Sequence, residues 1–85
     1  METREILAER EKTHGSYDDH AKATQLMKAL FQGCKGYKDG EVYHRESLDM
    51  IAHKIGRILA GDPDFRDHWA DIAGYATLSA DRCTK

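Results

Sequence analysis

The sequence contains no apolar run long enough to cross a bilayer, and its opening Met1-Glu2-Thr3-Arg4-Glu5 has none of the apolar core of a secretory signal. A cytoplasmic protein with no membrane partner is the expectation. Cysteine is scarce. Cys34 and Cys83 stand alone, neither in a CxxC pair, so reduced thiols are expected rather than a disulfide or a zinc site. Five histidines are present, but His14, His20, His44, His53 and His68 form neither HxxxH nor HExxH. P-loop, nucleophile elbow and Gly-rich dinucleotide fingerprint are all missing. No charge sign dominates: the formal net charge is −2, with acids and bases interspersed, so bulk charge gives no basis for non-specific DNA binding. No stretch alternates as a strand does, and no repeat, low-complexity tract or second domain is visible.

What is present is the helical period. Apolar residues recur every three or four positions, which predicts a folded chain although a third of it is charged. Its 85 residues make one domain, residues 1–85, near the small end of what a single core supports. The predicted fold is all-α: a small bundle of about four helices, completed by dimerisation. A first, weakly amphipathic helix runs from Thr3 to Lys12 and is broken by Thr13-His14-Gly15-Ser16. Ser16 is placed to cap the next helix, Tyr17 to Gln32, with Asp19 three residues on as capping-box partner. Gly33 to Gly40 is expected to be a flexible turn region, with Asp39 as a cap for the third helix. That helix spans Gly40 to Ala60 on a stripe of Leu48, Ile51, Ile55, Ile58 and Leu59. Gly61 and Pro63 end it. The fourth spans Phe65 to Arg82, with Trp69, Ile72, Ala73, Ala76 and Ala80 as its core face. If Trp69 is central core, its replacement by Ala costs on the order of 3–5 kcal/mol.

The last two helices also carry ionisable groups at spacings of three and four. Glu46, Asp49, His53 and Arg57 form one ridge with Lys54 beside it; His68, Asp71, Tyr75 and Arg82 form another. The Gly61-Asp62-Pro63 break makes the helices antiparallel neighbours, so Lys54, Arg57, His68, Asp71 and Tyr75 can share a cleft. Cations there would grip phosphate oxygens, Arg57 in a bidentate manner. Tyr75 would stack on a base or ring, and Asp71 would orient His68 or hold Arg57. The plainer alternative is a solvated ladder of ion pairs, each step worth about 0.2–0.5 kcal/mol.

The segments Glu9-Arg10-Glu11-Lys12-Thr13-His14-Gly15-Ser16-Tyr17, Met50-Ile51-Ala52-His53-Lys54-Ile55-Gly56-Arg57-Ile58-Leu59-Ala60-Gly61-Asp62-Pro63 and Asp67-His68-Trp69-Ala70-Asp71-Ile72-Ala73-Gly74-Tyr75-Ala76 resemble a small family of phage and prophage proteins of unassigned function. That family is distantly similar to the all-α MazG-like nucleotide pyrophosphohydrolases. Those enzymes hold magnesium with an ExxE on one helix and an ExxD on the next. Position by position, the ExxE falls on Lys54-Ile55-Gly56-Arg57, where both acids have become bases. The ExxD falls on His68-Trp69-Ala70-Asp71, where Asp71 matches and His68 replaces the glutamate. A shift of the motif toward the N-terminus would instead supply Glu46 and Asp49 as the first acidic pair. The family phrase further implies that His14 and Gly15 close over the site.

Three functions are expected on these grounds. The first is a nucleotide- or phosphate-binding protein on a MazG-like scaffold, using His14, Lys54, Arg57, His68, Asp71 and Tyr75, with no metal and no cofactor. It would sequester a nucleotide or nucleotide signal. The second is a magnesium-dependent nucleoside triphosphate pyrophosphohydrolase, with Glu46, Asp49, Asp67 and Asp71 as ligands. The third is a non-enzymatic phage protein that docks on a host defence or replication protein.

Overall fold

A computed structural model describes residues 2–85. Among these residues it is all-helical, with five helices and no strand. They are α1 (Thr3–His14), α2 (Tyr17–Gln32), α3 (Lys35–Lys38), α4 (Val42–Ala60) and α5 (Arg66–Ala80). The first helix is longer than the sequence suggests: α1 continues two residues past Lys12, to His14, and stops at Gly15.

Local chemistry explains most of the boundaries. The Ser16 hydroxyl accepts from the Asp19 N–H at 3.1 Å and starts α2. Asp39 does not cap α4. Glu41 is the N-cap: its N–H donates to His44 Nδ1 at 2.9 Å, and its backbone carbonyl accepts from the His44 N–H at 3.0 Å. The Gly33–Gly40 stretch is not simply a turn. It contains α3, whose Tyr37 hydroxyl donates to the Asp49 carboxylate at 3.0 Å and ties the segment to α4.

α4 is the central element. It packs against α2 on one side and α5 on the other, and these are the two most extensive helix pairings. The α2–α4 crossing is close because Gly56 has no side chain. A Cβ there would lie 2.6 Å from the His20 ring and from Thr24 Oγ1. The α4–α5 crossing is polar. Ser79 Oγ donates to the Tyr43 carbonyl at 3.2 Å and meets Ser47 Oγ at 2.5 Å, while Ser47 Oγ donates to the Tyr75 carbonyl at 3.2 Å.

This crossing rotates the inward face of α5: Ile72 stays inward as expected, but Trp69, Ala73, Ala76 and Ala80 are exposed. Its contact line is His68, Ile72, Tyr75 and Ser79, at spacings of four, three and four. His68 is 2 % exposed, whereas Trp69 is 55 % exposed. Trp69 is therefore not central core in the single chain. Ser79 and His68 can turn inward because each finds a hydrogen-bond partner, which removes the usual cost of burying polar groups. Among the described residues, the one fully buried apolar side chain is Ala52.

Candidate functional site

Two loops meet at one end of the bundle. Gly15, after α1, has φ 76° and ψ −175°, a backbone conformation open essentially to glycine alone. A Cβ on Gly15 would collide with the Ala60 carbonyl oxygen, so the α1–α2 loop rests directly on the end of α4. The Asp62 N–H donates to the Thr13 carbonyl at 3.0 Å and fastens the two loops together. His68 Nε2 reaches the same carbonyl at 3.2 Å. A carbonyl can only accept, so His68 carries its proton on Nε2.

This clamp sets His14 edge-on against His68, with ring centroids 4.8 Å apart at 83°. Thr13 Oγ1 lies 2.7 Å from His14 Nδ1. Beside His14 opens a cleft of about 550 Å³. Leu7, Arg10, Glu11 and His14 line it from α1, Tyr17 and His20 from α2, and Arg57 from α4. Arg10 and Arg57 thus face one space from different helices. Tyr17 stands at the rim, 79 % exposed, with its ring edge-on to His20 at 6.5 Å.

The histidines register the local charge. Burial lowers the pKa of His14, and the Arg57 guanidinium lowers it further, with His68 and Arg10 adding to the effect. His20 is lowered for the same leading reasons, burial and then Arg57. His53, edge-on to His20 at 5.6 Å, is lowered by burial and then by Lys28 and Arg57. All three favour the neutral form more than a free imidazole does. His20 Nε2 and Thr24 Oγ1 are buried without a hydrogen-bond partner.

The six residues named from the sequence divide. His14 and Arg57 line the cleft together, and His68 lies behind it against His14. Lys54 turns away to pair with Asp71, Nζ to Oδ2 3.0 Å. Tyr75 lies two turns beyond His68 on α5, half-buried against α4. The sequence does not single out Arg10, Tyr17 and His20. Their one signal there is spacing: Leu7, Arg10 and His14 fall on one face of α1, and Tyr17 and His20 lie three apart on α2.

The carboxylates proposed for magnesium do not assemble. Asp71 is paired with Lys54, Asp49 accepts from Tyr37, and Glu46 and Asp67 are exposed. Among the described residues no group of three or more His, Cys, Asp or Glu side chains could hold a metal ion. Glu46, Asp49, Asp67 and Asp71 do not fit a shared magnesium centre. Among the described residues no helix is long and apolar enough to cross a membrane. Both cysteines are exposed and free.

Residues 2–83 match the model of the family described as Domain of unknown function (DUF6378), and the chain belongs to that family. No curated protein and no solved structure matches it.

Proposed function

We propose that the chain is a cytoplasmic nucleotide- or phosphate-binding protein, and that the ligand sits in the cleft between α1, α2 and α4. One observation carries this: Arg10, His14, His20 and Arg57, from three helices, surround a single cleft of about 550 Å³. Two guanidiniums facing one space repel each other, and a phosphate group placed between them turns that repulsion into two charge-assisted contacts. The exposed ring of Tyr17 offers a surface on which a base can stack, and the Glu11 carboxylate can accept from sugar hydroxyls. The resemblance to phage and prophage proteins, and through them to MazG-like enzymes, favours a nucleotide over a bare phosphate and sequestration as the role.

Hydrolysis has no comparable support. The Lys54–Asp71 ion pair occupies the carboxylate that matches the MazG-like pattern. The test is a melting scan against nucleoside mono-, di- and triphosphates and inorganic pyrophosphate, with and without magnesium. Stabilisation without metal is expected, because a ligand bound only to the folded state raises its stability. Phosphate or pyrophosphate release from triphosphates with magnesium would replace binding by catalysis. No response to any phosphate compound would rule out the cleft as a nucleotide site. Co-purification of a host protein in that case would favour the docking alternative.

A further inference from the structure

The helices α2, α4 and α5 form a layer, and one side of that layer is apolar and uncovered. On α4, Gly56 faces α2, while Ser47 and Lys54 face α5. Helix geometry places Leu48, Ile55 and Leu59 between those two contact lines, on a single line of their own. On α5 the contact line is His68 to Ser79, and Asp71 occupies the flank that reaches Lys54. Trp69 lies on the opposite flank, which is the flank beside the open line of α4. On α2, which runs antiparallel to α4 with His20 and Thr24 inward, Leu30 lies on this same side.

These side chains are too exposed for a solitary chain. Leu30 and Leu59 are 66 % and 69 % exposed, on a protein whose one fully buried apolar residue, among those described, is an alanine. The total surface is larger than a monomer's as well. The chain exposes 6271 Å², whereas a folded monomer of 9.7 kDa exposes about 5,100 Å². The difference, about 1,200 Å² per chain, exceeds the roughly 800 Å² that each partner buries in a standard interface. α1, which buries no residue, contributes to that excess, and so does the apolar side of the layer.

We infer that a second copy of this chain covers the face of Leu30, Leu48, Ile55, Leu59 and Trp69, giving a two-fold dimer with two three-helix layers back to back. A self-complementary apolar patch is what a two-fold interface requires. Trp69 suits such a seam because its indole N–H already donates to the Pro63 carbonyl at 2.8 Å, so burying the ring orphans no donor. The phosphate cleft stays open in this dimer. Arg57 comes two residues after Ile55 and therefore points to the other side of α4. The dimer is independent of the ligand proposed above.

Sedimentation and light scattering on the full chain should give about twice 9.7 kDa at micromolar concentration. Trp69 is the sole tryptophan, so its emission should shift to the red on dilution as the face is uncovered. The melting temperature of the wild type should rise with protein concentration, a readout that needs no variant. Leu59→Glu should shift the mass to that of one chain, and Leu78→Glu, on the Asp71 flank of α5, should leave the dimer unchanged. A single-chain mass with a concentration-independent melt overturns the proposal. So does a Leu59→Glu protein that remains dimeric, or a dimer that Leu78→Glu dissociates.

Discussion

The two sides of the α2–α4–α5 layer differ in kind although α4 supplies both. One side presents Leu48, Ile55 and Leu59 beside Trp69, with Leu59 and Trp69 more than half exposed. The other presents Arg57 to the cleft beside α1 and sets His53 edge-on against His20 of α2. The contrast shows how a short chain uses its helices. Neither side is a core in the ordinary sense: the buried lines of α4 are Ser47, Ala52 and Gly56, small residues that let the backbones approach. Bulky apolar residues are left for an outer surface, and cationic ones for a cleft.

The clamp on the polar side gives the largest expected effect. Gly15→Val forces a side chain into a glycine-only conformation and onto the Ala60 carbonyl. It should cost about 3 kcal/mol or more in urea unfolding. A loss below about 0.5 kcal/mol, the range of ordinary surface changes, would mean the two loops are not locked. Gly56→Ala comes next. Its methyl meets His20 and Thr24 at 2.6 Å, and the displacement of α2 should cost about 1–3 kcal/mol.

Trp69→Ala tests the apolar side. As central core it would cost on the order of 3–5 kcal/mol. From its half-exposed position it should cost the isolated chain about 1 kcal/mol, in line with typical substitutions, with the gap from wild type widening as protein concentration rises. A full core-sized loss in dilute protein would restore Trp69 to the monomer core.

Arg57→Ala sharpens the polar side. It should abolish nucleotide stabilisation while leaving the helical circular-dichroism signal intact. It should also raise the pKa values of His14 and His20, since Arg57 is the leading charge that lowers both. Imidazole titration by NMR would check this, and unmoved His14 and His20 curves would place Arg57 elsewhere. The smallest effect is on pH stability. His14, His20 and His53 have folded pKa values below the ordinary 6.5. The unfolded chain therefore binds more protons between those values and 6.5, and stability falls as pH drops through that window. A bound phosphate should oppose the trend by favouring the protonated imidazoles. Stability that rises on acidification through the window would reverse the assigned shifts.

Most helix bounds are legible in the sequence because caps and breakers act locally. Ser16 starts α2 as its chemistry dictates, and α4 ends at Ala60 before Gly61 and Pro63, although Gly61 takes φ −117° and not the left-handed conformation of a glycine C-cap. α3 is not legible, since four residues between glycines carry no periodic signal and are held by Tyr37 reaching Asp49. The face of α5 departs from its pattern for a physical reason. Apolar periodicity picks out the stripe of Trp69 and the alanines, but His68 and Ser79 are drawn inward by carbonyl partners on distant segments. Of the site, Arg57 stands out by its spacing and His14 through the resemblance. Arg10 joins them because the Gly15 bend sets α1 beside α4, and Tyr17 and His20 because Gly56 lets α2 close on α4; spacing within one helix encodes neither.

That bend also sets how the molecule opens. α1 buries no side chain, and the loop contacts around Thr13 and Gly15 hold it beside α4. Its amides should exchange with solvent far sooner than those of α4, through a local excursion that leaves the other helices formed. Arg10 leaves with it. An anion bridging Arg10 and Arg57 would suppress that excursion, so slowed deuterium uptake along α1 is the first place where occupancy of the cleft would be recorded.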